Sequence, residues 1–287
     1  MPVRSLLRIL GALLLTSVLS IVNADEQLTI HCSGQAAPIY LIGGGPAFTT
    51  WNLQPIQDAL KDDFKVCRWD MRGVGDNAAL PISGQEPVLS QWLDDMDQVL
   101  QEDQFILWGH SWGALQVLLY ASQHPERVAN IVLSNPVDPE LKSLEHIEQK
   151  RFVHPEINGG LSLDEISTPA EGLHNLRSKI ASYFKDAEKG WAYADLFTRE
   201  DANNVLNVQI WEEYRQSPLS RQDLERIAEK VSGLIYCRAD VLQPENEQEY
   251  RRLLPGATHQ ILSACGHFPW EENPDQYFAA LHKLLEY

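Results

Sequence analysis

A serine set between two glycines, each two positions away, is the arrangement that holds an exposed nucleophile on a sharp turn. The chain carries one at Gly109-His110-Ser111-Trp112-Gly113. It directly follows the apolar run Phe105–Trp108 and directly precedes a helical pattern, which is the strand-turn-helix context such a serine requires. A side chain at position 109 or 113 would collide with neighbouring backbone, and glycine removes the clash. The turn also aims a helix N-terminus and the Trp112 N–H at whatever oxygen is bonded to the reacting carbon, so a developing oxyanion is stabilised there. A second run, Gly43-Gly44-Gly45-Pro46, ends another apolar strand and presents bare N–H groups; that of Gly45 is the expected second oxyanion donor. This run has neither Gly-x-Gly-x-x-Gly spacing nor a Gly-Lys-Ser/Thr ending, so it is not read as a nucleotide site.

Serine is a poor nucleophile until a base takes its proton, and the base must come from a loop at the same sheet edge, oriented by a carboxylate. Asp240 follows the strand-like run Leu234–Cys237, and His267 follows Gln260–Leu262 within Cys265-Gly266-His267-Phe268-Pro269. Ser111 is therefore read as nucleophile, His267 as general base and Asp240 as its orienting acid, with Glu245 as the substitute if the loop is displaced. His110 lies within the turn itself and His124 stands at a helix end beside Pro125, so neither competes well. These groups imply acyl transfer to water. Neither His-Glu-x-x-His nor paired Cys-x-x-Cys is present, so no metal or organic cofactor is expected.

The elements that must position these groups are short apolar runs ending in Gly, Asp or Asn: Ile39–Ile42, Val66–Trp69, Phe105–Trp108, Ile131–Leu133, Leu234–Cys237 and Gln260–Leu262. Several are followed by helical patterns, which predicts an α/β fold with a mostly parallel sheet covered by helices. Leu89, Trp92, Leu93, Met96, Val99 and Leu100 recur at helical spacing with Ser90 as N-cap. Trp112 to His124 reads as a second helix. Pro274 to Leu285 reads as the last, capped by Asn273. Residues 137–230 break the strand rhythm and are read as an inserted helical lid. It divides a core of residues 25–136 from one of residues 231–287.

At 287 residues, 44% hydrophobic and 22% charged, the chain can bury one large core. Its first residues are not expected to belong to the fold: Arg4 and Arg8 precede the apolar run Ile9 to Val22, and Val22-Asn23-Ala24 supplies small residues at a cleavage position. Residues 1–24 are thus read as an export signal. The run is shorter than the roughly 20 residues of a spanning helix, so no stable membrane insertion is expected after cleavage. Cleavage removes two arginines and no acidic residue, making the formal charge more negative than the −17 of the whole chain. Such a field repels nucleic acid and anionic lipid and suits a small-molecule or short-peptide substrate. Oligomeric state is not legible. An oxidising compartment permits any of three pairings among the four cysteines. Cys32 and Cys67 lie in two strand-like runs, as do Cys237 and Cys265, so two local bridges form if those strands are neighbours; four buried thiols are the alternative.

Gly43-Gly44-Gly45-Pro46, Asp70-Met71-Arg72-Gly73-Val74-Gly75, Gly109-His110-Ser111-Trp112-Gly113, Asp240 and Gly266-His267 together resemble the α/β-hydrolase superfamily from about Leu28 to the C-terminus. The Gly-Gly-Pro turn, the Asp-x-Arg-Gly-x-Gly segment and the tryptophan after the serine resemble its prolyl aminopeptidases. Those enzymes release N-terminal proline and hold the free amine with acidic residues of a helical cap. The resemblance implies an amine ligand at Glu212, within Trp211-Glu212-Glu213, and a bracing role for Asp70 and Arg72 near the elbow. The chain departs from that pattern at Gly43, at Ala47 and at Gly109-His110, and a Gly-His-Ser run is equally at home in esterases. A carboxylesterase is therefore the alternative to an aminopeptidase. A non-catalytic binding protein on the same scaffold is the third reading.

Overall fold

The computed structural model describes residues 27–145, 147, 150 and 169–286. The expected signal, residues 1–24, and part of the expected lid lie outside them.

Seven strands form one sheet in the order β1-β3-β2-β4-β5-β6-β7. They are β1 (Ile30–Ser33), β2 (Ala37–Ile42), β3 (Phe64–Trp69), β4 (Phe105–His110), β5 (Val128–Ser134), β6 (Val231–Cys237) and β7 (Thr258–Leu262). Only β1 is antiparallel to its neighbour; the rest run parallel, as helical crossovers require. Central strands buried on both faces read as unbroken apolar runs, and their residues alternate between two cores. Phe105, Leu107, Ile131, Leu133, Leu234 and Tyr236 enter one core. Trp108, Val132, Ile235 and Cys237 enter the other. Each such side chain contributes about 1.5–3 kcal/mol on burial, which is why these strands dominate the sequence pattern.

The described helices are α1 (Gln54–Leu60), α2 (Val88–Val99), α3 (Trp112–Gln123), α4 (Pro169–Ser182), α5 (Ala187–Ala194), α6 (Asn204–Gln216), α7 (Arg221–Ile227), α8 (Glu245–Leu253), α9 (Pro269–Glu272) and α10 (Pro274–Leu285). Helices α4 to α7 occupy the chain between β5 and β6, and no strand lies there among the described residues. One local expectation fails. Ser90 lies inside the first turn of α2, and Pro87 occupies the N-cap position without a side-chain bond. The Glu213 carboxylate of α6 takes over, accepting the N–H of Val88 at 3.0 Å and of Leu89 at 2.8 Å. A distant acid thus satisfies donors that a local serine was expected to cap.

Both local disulfides form. Cys32 stands opposite Cys67 across the β1–β3 pair, so their bridge clips the exposed edge strand to the sheet. Cys237 at the end of β6 is bonded to Cys265, just before His267. The Cys237–Cys265 link closes a loop with a sequence separation of 28. Replacing both of its cysteines with serine should lower the unfolding free energy by about 3–4 kcal/mol, read by chemical denaturation under oxidising conditions. An unchanged midpoint would mean that the bridge adds no constraint to the unfolded chain.

Candidate active site

Ser111 terminates β4 and opens α3 at φ 55, ψ −119, a conformation that L side chains rarely adopt. The two glycines around it are needed for close approach. A Cβ on Gly109 would lie 2.7 Å from the Gly113 oxygen, and one on Gly113 would lie 2.2 Å from the Ile42 oxygen. Those distances press α3 against the end of β2, where the Gly43–Gly45 turn begins. Gly45 has φ +126 and lines the same cavity as Ser111. Trp112 is the first residue of α3, so its N–H has no acceptor within the helix. The expected oxyanion donors thus belong to the residue that follows the serine and to the turn that follows β2.

His267 and Asp240 meet although they lie in different loops. The His267 Nδ1–H donates to both carboxylate oxygens of Asp240, at 2.9 and 3.0 Å, and both side chains are buried. Asp240 also accepts the Leu242 N–H at 3.1 Å. Because Nδ1 carries the proton, Nε2 of His267 presents a lone pair. Ser111 and His267 line one cavity of about 360 Å³. Glu245, the alternative acid, pairs with Lys150 and takes no part.

The expected amine ligand is a correction. Glu212 is exposed on α6 and does not line the cavity. Its neighbour Glu213 is occupied at the start of α2 and by Gln209. Trp211, the first residue of the same run, does line the cavity. A turn of 100° per residue separates the three side chains, so only one can face inward. Asp70 braces the loop after β2, accepting the Thr50 N–H at 2.7 Å and the Asp76 N–H at 3.0 Å. Arg72 holds Asp95 of α2 through Nε at 2.9 Å.

Three residues that sequence reasoning did not assign hold the His267 backbone. The His110 Nε2–H donates to the His267 carbonyl at 2.9 Å. Asn135, at the end of β5 with φ 40, donates its amide to the Gly266 and His267 carbonyls at 3.0 and 3.1 Å. The Tyr183 carbonyl accepts the His267 N–H at 2.7 Å. Burial, with His267 nearby, pushes the His110 imidazole well below its ordinary value, so it stays neutral. His110→Ala should lower kcat for a chromogenic ester about ten- to hundredfold with little change in KM, and His110→Gln, which restores an N–H donor, should recover part of it. Equal loss in both variants, tracking a fall in Tm, would assign His110 a packing role only.

A model of the alpha/beta hydrolase fold matches residues 37–274. A proline iminopeptidase of Heyndrickxia coagulans is 23% identical over 273 residues, covering 88% of this chain and 92% of the relative. One from Clostridium botulinum is 23% identical over 283 residues, covering 89% and 92%. Among solved structures, a serine hydrolase of Cycloclasticus zankles superposes with a TM-score of 0.67 at 19% identity, covering 89% of this chain and 92% of that one. With most of its length matched by that model, and with its elbow, turn and histidine loop at one sheet edge, the chain belongs to the α/β-hydrolase family, as a serine hydrolase similar to the prolyl aminopeptidases.

Proposed function

We propose that the chain hydrolyses small esters or amides by acyl transfer through Ser111, with His267 as base and Asp240 as its orienting acid. The observation that carries this reading is the hydrogen bond from His267 Nδ1–H to both carboxylate oxygens of Asp240, beside a cavity that His267 shares with Ser111. His267 Nε2 takes the Ser111 proton as the oxygen attacks the carbonyl carbon. The oxyanion accepts hydrogen bonds from the Gly45 and Trp112 N–H groups. His267, now an imidazolium facing the Asp240 carboxylate, gives its proton to the leaving group, and water repeats the cycle to free the acid.

Release of N-terminal proline is the second reading, and similarity to proline iminopeptidases along nearly the whole chain favours it. The free amine would need a carboxylate partner. Among the described cavity residues there is none, which favours an ester. Hydrolysis of proline para-nitroanilide beside para-nitrophenyl butyrate, with Ser111→Ala as control, separates the readings. The ester should be turned over and the anilide should lag; a dominant anilide rate would restore the aminopeptidase. Asp240→Asn should lower kcat by about 10²–10⁴ through the wrong histidine tautomer. A protein that neither turns over ester or anilide nor reacts with a fluorophosphonate would be the non-catalytic reading.

We propose further that residues 1–24 direct export and are removed. The Arg4/Arg8 start, the Ile9 to Val22 run and two disulfides suited to an oxidising compartment support this. N-terminal sequencing of secreted or periplasmic material should begin at Asp25. Material beginning at Met1 would refute cleavage.

A further inference from the structure

If Ser111 is the nucleophile, as proposed above, one wall of the cavity that selects its substrate is a face of α6. Asn204, Asn207, Trp211 and Arg215 recur at helical spacing along that face and line the cavity with Ser111 and His267. Both carboxylates of the helix are turned elsewhere: Glu212 to solvent, Glu213 to the first turn of α2. No Asp or Glu stands among the described lining residues, although the chain carries 40. Among the described residues, the cation at the end of the stripe is not neutralised. Arg177, Arg226 and Arg252 are each held by carboxylates, whereas Arg215 has no hydrogen bond or ion pair among the described residues. Lys179 of α4, itself engaged with other groups, adds a second positive charge to the same cavity.

A guanidinium offers a planar pair of donors that matches a carboxylate. A cavity of mixed lining, with Leu144, Ile147, Leu176 and Trp211 beside a guanidinium, suits an acyl chain that ends in an anion. Long-range attraction cannot supply that preference, because the formal charge of −17 repels anions at a distance. The discrimination must be local, at Arg215. We propose that the site takes small acyl compounds bearing a second, free carboxylate, such as half-esters of short dicarboxylic acids, and that Arg215 binds that carboxylate.

Mono-para-nitrophenyl succinate, glutarate and adipate should be compared with para-nitrophenyl butyrate on the wild type, Arg215→Gln and Arg215→Lys. At least one half-ester should exceed butyrate in kcat/KM by about ten- to hundredfold, the worth of a hydrogen bond to a charged group. Arg215→Gln should erase that excess through KM, with a far smaller effect on butyrate, while Arg215→Lys keeps part of it. Rising salt should shrink the excess, since Arg215 is open to solvent. Parity between half-esters and butyrate in the wild type, or an excess that survives Arg215→Gln, would overturn the proposal. Calorimetry of glutarate against Ser111→Ala, with and without Arg215→Gln, keeps the two readings apart. Arg215-dependent binding without turnover of any ester would uphold the carboxylate site and sink the serine mechanism. Ester turnover with no Arg215-dependent preference or binding would do the reverse.

Discussion

The close approach of α3 to the end of β2 is the constraint from which the rest of the site follows. Ser111 is forced to positive φ by the reversal from β4 into α3, a conformation that costs about 1–3 kcal/mol for a residue with a side chain. The surrounding backbone holds it there. The Ser111 N–H donates to the Ser134 carbonyl, and the Ser111 carbonyl accepts the N–H groups of Ala114 and Val137. Position 113 has no room for any Cβ against the Ile42 and Gly43 carbonyls. One packing contact therefore sets the serine, the first turn of α3 and the start of the Gly43–Gly45 turn together.

His267 has no such local enforcement, being far from Ser111 in the chain. Its place is set by convergence from several elements. The His110 side chain reaches it from β4, the Asn135 side chain from the end of β5 and the Tyr183 carbonyl from the segment after α4, all at backbone groups of His267. The Cys237–Cys265 bond ties the loop of Asp240 to the loop of His267, and the Ala239 N–H donates to the Cys265 carbonyl. The Glu272 carboxylate accepts the N–H groups of Gly266 and Lys185 from below. On the proposed mechanism, fixing the backbone of His267 supplies the preorganisation that proton transfer by its imidazole needs.

The elbow and the six core strands were legible because each follows from a local rule. Glycine is demanded where a Cβ cannot fit, and the central strands β2, β4, β5 and β6, buried on both faces, read as apolar runs, whereas β3 and β7 keep only short ones. Asp240 and His267 were legible because each stands just past a strand that the pattern located. Glu212 was misread for a reason no local rule contains. Which residue of Trp211-Glu212-Glu213 faces inward depends on the phase of α6, and that phase is pinned by Glu213 at the start of α2 and by the Tyr214 hydroxyl on the Pro139 carbonyl. Ser90 failed as a cap for the same reason, since the donors it was expected to serve are taken by that distant carboxylate. The contacts of His110 and Asn135 with His267 join residues separated by 157 and 132 positions, which no spacing reveals.

The helices between β5 and β6 are bound to the same turn that carries Gly45. Asn207 of α6 donates its amide to the Pro46 carbonyl at 2.7 Å, and the Asn203 N–H donates to the Ala47 carbonyl at 3.0 Å. The Asp201 carboxylate accepts from Thr49 and from the Trp51 indole, while its backbone carbonyl accepts the Thr49 N–H. The face of α6 that lines the cavity and the turn expected to hold the oxyanion are thus hydrogen bonded over consecutive residues. A displacement of α6 large enough to admit a different substrate would pull on Pro46, one residue from Gly45. On the proposed mechanism, substrate selection and transition-state stabilisation would draw on these hydrogen-bonded neighbours, so substitutions along α6 outside the cavity would alter kcat without touching the substrate.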